Sequence, residues 1–85
     1  MAEDLAGVRV AIITTDMFEE DELLKPREAL DAVAAETVII APHGGTVQAA
    51  RHHNKAGTVA VDELLEDANP EEYDAVLLPG GALKQ

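Results

Sequence analysis

The sequence predicts an α/β protein on a parallel sheet, incomplete at three core strands plus a small hairpin, and three observations carry that expectation. Val8 to Thr15, Glu36 to Ala41 and Tyr73 to Leu78 are short runs rich in apolar and β-branched residues, the pattern of strands buried on both faces. A stretch with helical spacing of its apolar residues separates the first two runs. The third closes on Pro79-Gly80-Gly81, the kind of turn that open α/β sheets deliver to the crevice at their carboxyl edge.

Taken in order, Val8 to Thr15 is the first central strand and Asp16 to Phe18 turns the chain. A helix is expected from about Glu20 to Ala34, with Leu23, Leu30, Val33 and Ala34 on one face. Its first turn is crowded with acids, which the helix dipole favours there. Pro26 lacks an N–H for the carbonyl of Glu22 and crowds it, so a bend is expected beside Glu22. Glu36 to Ala41 forms the second strand, and Pro42-His43-Gly44-Gly45 is a turn signal.

Thr46 to Gln48 and Thr58 to Val61 then read as a small hairpin around a polar stretch containing Asn54-Lys55-Ala56-Gly57. Asp62 is a candidate N-cap for one helical turn through Leu65, Asn69-Pro70 breaks it, and Tyr73 to Leu78 is the third strand. Alternation of this kind implies a parallel sheet with right-handed crossovers and helices on its faces. Doubly wound sheets normally run to five or more strands, so the run ending at Leu78 is expected to have one edge open.

Composition narrows the function. Seventeen acids against six basic residues give a net charge of −11, which repels phosphate backbones and anionic lipid surfaces and so argues against nucleic acid and membrane as partners. The charge reads as a solvated surface or as the habit of a salt-rich cytoplasm. Residues 1 to 7 contain no apolar stretch of signal length and no run approaches a membrane span, so a cytoplasmic location is expected. With no Cys there is no disulfide and no cysteine zinc site, and no cofactor is called for. One Phe, one Tyr and no Trp leave a thin aliphatic core, in a chain small enough to need a partner.

Phe18-Glu19-Glu20-Asp21-Glu22-Leu23-Leu24-Lys25-Pro26, read together with Asn69-Pro70-Glu71-Glu72-Tyr73-Asp74-Ala75-Val76-Leu77-Leu78-Pro79-Gly80-Gly81, resembles the DJ-1/PfpI superfamily, and the likeness extends over about residues 8 to 85. It is nearest to the PfpI-type branch, described as intracellular protease-like or class I glutamine-amidotransferase-like. The resemblance implies a flavodoxin-like sandwich whose reactive cysteine lies on a strand-to-helix turn after the next core strand. Residues 1 to 85 would then be the N-terminal portion of a single domain, without its cysteine-bearing half.

The resemblance maps the family's acidic residue ahead of the helix proline to Glu22, as a catalytic carboxyl, and its glycine pair to Gly80 and Gly81, as substrate-binding N–H donors. A carboxyl in an apolar site keeps its proton and can hydrogen-bond a thiolate or a substrate oxygen. Glu22 also reads as one more helix-start acid beside Glu19, Glu20 and Asp21. Glycines at 80 and 81 would let backbone N–H groups approach an oxyanion unhindered, or simply make a tight turn. Some peptidase-like members carry a Glu where this chain has Gln85, and that departure weighs against a peptidase.

His43, His52 and His53 read as surface hairpin histidines, since adjacent residues of an extended segment point to opposite faces and rarely share an ion. There is no Ser, and Thr14, Thr15, Thr37, Thr46 and Thr58 have no evident base. The leading reading is therefore part of a cysteine-dependent stress-response hydrolase or lyase, acting on small carbonyl or peptide substrates when complete and inert as written. A second is a non-enzymatic module pairing through its open edge, with a complementary C-terminal half or as a homo-oligomer. A receiver or flavodoxin-type domain, suggested by Asp16, is disfavoured because Leu78-Pro79-Gly80 stands where a receiver's phosphorylated Asp would be and no phosphate loop follows the first strand.

Overall fold

The computed structural model describes residues 5–52 and 54–79 and contains two sheets and one α-helix. Strand β1 (Arg9–Ile13) leads through the two-residue β2 (Phe18–Glu19) into α1 (Glu20–Ala32). Then come β3 (Glu36–Ala41), β4 (Thr46–Arg51), β5 (Asn54–Ala60), β6 (Glu63–Leu64), two 3-10 turns at Leu65–Asp67 and Pro70–Glu72, and β7 (Ala75–Leu77). The main sheet has the order β6-β3-β1-β7 and is parallel throughout. β1 is central as expected, with Ile12 level with Ile39 on one side and with Leu77 on the other.

Strand alternation divides the apolar residues between two faces. On one, Ile12, Ile39 and Ala41 pack with Phe18, Leu23, Val47 and Ala49, so α1 and the second sheet (order β2-β4-β5) close over it. Ile12, Leu23, Ile39 and Val47 are excluded from solvent entirely, and each contributes roughly 1.5–3 kcal/mol by its burial. On the other face Ala11, Val38 and Ile40 are covered by Ile13, Ala68 and Tyr73. Arg9 lies 4.8 Å over the Tyr73 ring while the Tyr73 hydroxyl donates to Glu63. Among the described residues β7 is one edge of the main sheet, opposite β6, and Val76, level with Ala11, stays 57% exposed.

Four expectations change. The polar stretch Asn54-Lys55-Ala56-Gly57 belongs to β5 rather than to a loop, and the hairpin reverses after Arg51, which pairs with Asn54. An edge strand whose residues are largely exposed tolerates Asn, Lys and Gly because little packing is asked of them. The register slips between Gln48 and Ala50, a bulge that the Gln48 side chain pins by donating to the carbonyls of Ala56 (2.7 Å) and Gly57 (3.1 Å).

Asp62 caps no helix. Its carboxylate accepts the Ile39 N–H at 2.8 Å and its own N–H returns to the Ile39 carbonyl at 2.8 Å, which brings Glu63–Leu64 alongside β3 as a fourth strand of the main sheet. Asp16 to Phe18 is only partly turn, since Phe18–Glu19 pairs in parallel with Ala49–Ala50.

The helix stops at Ala32, leaving Val33 and Ala34 outside its apolar face, and it continues through Pro26. Ala34 takes a left-handed φ of 70° while the N–H groups of Ala34 and Ala35 return to the carbonyls of Asp31 and Leu30, the bonding of a Schellman ending. Alanine adopts that conformation at a cost of roughly 1–2 kcal/mol that glycine avoids.

Candidate active site

A cavity of about 410 Å³ opens at the carboxyl edge of the main sheet. Ile13, Thr14 and Thr15 at the end of β1, Pro42 after β3 and Leu78-Pro79 after β7 line it, together with Leu65 of the first 3-10 turn. Asp16, Met17, Phe18 and Glu19 close the side toward α1. Open parallel sheets bind their ligands at this edge, because loops leaving neighbouring strands diverge there.

The crossing from β1 to α1 is the most constrained part of the wall. Met17 takes a left-handed φ of 67°, which disfavours a side chain by roughly 1–2 kcal/mol, and it is held by its N–H donating to the Gln48 carbonyl at 2.6 Å. Asp16 spans the same gap. Its Oδ1 accepts the Gln48 N–H at 2.9 Å and its Oδ2 lies 3.0 Å from His43 Nε2, while His43 Nδ1 faces the Gly44 carbonyl at 3.0 Å.

The Gln48 N–H, and then His43, hold the Asp16 carboxyl below its usual value; the Gly44 carbonyl, and then Asp16, hold the His43 imidazole above its own. The signs follow from linkage. The Asp16 contribution to stability is present above the ordinary carboxylate range near 3.8 and fades as pH falls through its lowered folded value. The His43 contribution is complete below about 6.5 and fades as pH rises through its raised folded value. The charged pair therefore belongs to the pH range between these limits. Both side chains are about half exposed, so solvent screens the pair heavily.

Glu22 lies in the first turn of α1, exposed, outside the cavity lining, and its side chain makes no hydrogen bond or ion pair with the described residues. The acid that reaches the cavity from this segment is Glu19, half-buried at the N-cap position of α1, where its side chain makes no capping hydrogen bond. Glu20 is tied instead to Arg51, whose Nε donates to it at 3.0 Å, fastening the helix start to the hairpin. Gly80 and Gly81 lie outside the described residues, as do Gln85 and His53; Pro79, on the cavity wall, immediately precedes the glycines.

Among the described residues no cluster of three or more His, Asp or Glu is arranged to hold a metal ion. His43 serves in the pair with Asp16, and His52 is exposed at the hairpin turn with φ of 54°. Thr14 is buried with its hydroxyl donating to the Thr15 carbonyl at 3.3 Å, and Thr37 donates to Asp31 at 3.4 Å near the opposite edge of the sheet. Thr15 is exposed at the cavity, and no described base faces it. The pocket thus has acids, backbone groups and apolar walls, and no nucleophile in the described residues. None of the described helices is long and apolar enough to cross a membrane.

Residues 8–85 match the model of the DJ-1/PfpI family, and the chain belongs to that family. It is 42% identical over 73 residues to an uncharacterized protein of Staphylococcus saprophyticus and 44% identical over 73 residues to one of Staphylococcus epidermidis. Each match takes in 86% of this chain and 41% of the relative, so the chain spans about two fifths of the length of these proteins.

Among solved structures it is similar to the DJ-1 superfamily protein Atu0886 from Agrobacterium tumefaciens, with a TM-score of 0.73 and 25% identity over 87% of this chain and 38% of that one. A ThiJ/PfpI domain protein from Brachyspira murdochii gives a TM-score of 0.72 at 20% identity, covering 89% of this chain and 42% of that one, a likeness of fold. The fold is that of the DJ-1 flavodoxin-like structures, incomplete relative to these neighbours.

Proposed function

We propose that these residues form the front wall of the active site of a PfpI-type, cysteine-dependent stress-response hydrolase or lyase. Its substrates would be small carbonyl compounds or peptides, as in a glyoxalase, deglycase or peptidase, and its setting the cytoplasm. The observation that carries the reading is the cavity at the carboxyl edge of the parallel sheet, bounded by the end of β1 and by Leu78-Pro79 just ahead of the glycine pair. A thiolate entering it would attack a carbonyl carbon, sending the π electrons onto oxygen, where N–H groups of Gly80 and Gly81 and the proton of Glu22 would stabilise them. With no Cys and no Ser in the sequence, the 85 residues hold no nucleophile for that step.

A second reading, pairing through the open edge of β7, is favoured by the exposure of Val76 on a strand with one unpaired side among the described residues, and of Leu78 (46%) just after it. The occupant would be a complementary C-terminal half or a second copy of this chain.

The role of Glu22 requires an apolar cover that the described residues, which leave it exposed, do not supply. The test is methylglyoxal turnover by this chain combined with a C-terminal fragment bearing the family's cysteine turn. Glu22→Gln is expected to lower kcat by roughly 10²–10⁴-fold, the range for removing a positioned acid. Glu19→Gln is expected to change it several-fold at most. The reverse order would transfer the role to Glu19.

A further inference from the structure

The wall between β1 and α1 is fastened at three points, and one of them needs a proton. Met17 N–H donates to the Gln48 carbonyl and Gln48 N–H donates to Asp16, so the turn docks on β4. The third point is His43, which faces two acceptors at 3.0 Å, the Gly44 carbonyl through Nδ1 and the Asp16 carboxylate through Nε2. A neutral imidazole carries one N–H and can satisfy only one of them; the imidazolium satisfies both.

We propose that Asp16 and His43 form a proton-dependent latch that positions the cavity wall, tying the turn through Met17 to the β3–β4 connection while the imidazole is doubly protonated. Asp16 is thereby a positioning residue. On deprotonation one of the two His43 contacts is lost, and the turn is held by its β4 hydrogen bonds alone. The strain at Met17 makes the turn sensitive to that loss, because a left-handed non-glycine residue persists only while its surroundings fix it. Asp16 and Met17 themselves line the cavity, so a change in the latch is a change in the site.

The other charged groups on adjoining elements are engaged elsewhere or stand apart from the ring. Asp62 accepts from Ile39 and Glu63 from Tyr73, both on β6 or just before it. Glu20 and Arg51 pair with each other, Glu19 lines the cavity, and Lys55 is exposed on β5. Asp16 is the charged partner of the His43 ring among the described residues.

The role in catalysis rests on reading the cavity as the active site, whereas the latch is tested without it. Imidazole and amide NMR of the 85-residue chain is followed from about pH 5 to 9, across the ordinary histidine value of about 6.5. His43 is expected to titrate above that value, with the Met17 and Gln48 amide signals moving at the same midpoint. In Asp16→Asn, which keeps an oxygen for the Gln48 N–H, the His43 midpoint is expected to fall toward the ordinary value and the two amides to stop following it. A wild-type His43 that titrates at the ordinary value, folded or not, or amides indifferent to its titration, overturns the latch. In the fragment-combined enzyme, KM is expected to rise through the His43 midpoint in the wild type and not in Asp16→Asn. A wall that follows His43 beside a KM that does not would uphold the latch and remove the cavity's catalytic reading.

Discussion

The pure 85-residue chain is expected to turn over no methylglyoxal above the uncatalysed rate. A carboxyl and N–H groups can orient a substrate and stabilise an oxyanion, yet neither forms the covalent bond on which a cysteine enzyme depends. Where a nucleophile has been removed from an otherwise intact enzyme, the loss is on the order of 10⁶-fold in kcat. The sequence has neither Cys nor Ser, and no threonine hydroxyl among the described residues meets a base at the cavity. Addition of a fragment carrying the cysteine turn is expected to restore turnover. Light scattering on the same samples is expected to show the chain associating with the fragment or with itself through β7. Turnover by the cysteine-free chain would sink the mechanism, and a stable monomer that ignores the fragment would sink the edge pairing.

Leu23→Ala is expected to unfold most of the chain. Leu23 is the buried residue of α1 and packs with Ile12, Ile39 and Val47 beneath the helix, so truncation opens a void that neighbouring side chains cannot fill. Leu→Ala changes at such sites cost roughly 2–5 kcal/mol. A protein of this length has about 4–13 kcal/mol in total, and the thin aliphatic core places this one toward the lower end. Leu24→Ala, at an exposed position one residue on, is expected to stay within about 0.5 kcal/mol. Urea denaturation followed by circular dichroism checks both, and equal midpoints for the two variants would show that α1 does not dock as described.

The parts of the fold that could be read in the sequence are those whose burial leaves a continuous mark. β1 and β3 are apolar because their burial demands it, β7 carries the same apolar mark although its Ala75 and Val76 are exposed among the described residues, and the parallel order of the three follows from the helix and the crossovers between them. β2 and β6 are two residues each and exist only through partners more than twenty residues away, Ala49–Ala50 and Ile40–Ala41, so no local period could announce them. Asp62 looked like a helix cap because an acid before Glu-Leu-Leu satisfies that pattern; the acceptor it supplies goes to Ile39 on β3 instead.

The candidate site was legible as a place, a cavity at the carboxyl edge ahead of Pro79, and much less as a set of side chains. Glu22 and Glu19 are three residues apart on a helix start, a separation that does not reveal which one faces the strands. Asp16 and His43 are 27 residues apart and meet only because β1 and β3 pair in register. Neither residue belongs to a motif that names the other.

The most direct test of the central claim, that this chain supplies the environment of a thiol carried by another segment, is the rate of iodoacetamide alkylation of that thiol as a function of pH. The fragment bearing the cysteine turn is measured alone, with this chain, and with its Glu22→Gln variant. A free thiol ionises near pH 8.5, and one held beside hydrogen-bond donors ionises lower. The account predicts that the wild-type chain moves the alkylation profile to lower pH and that Glu22→Gln moves it less. One and the same profile in all three samples would contradict it.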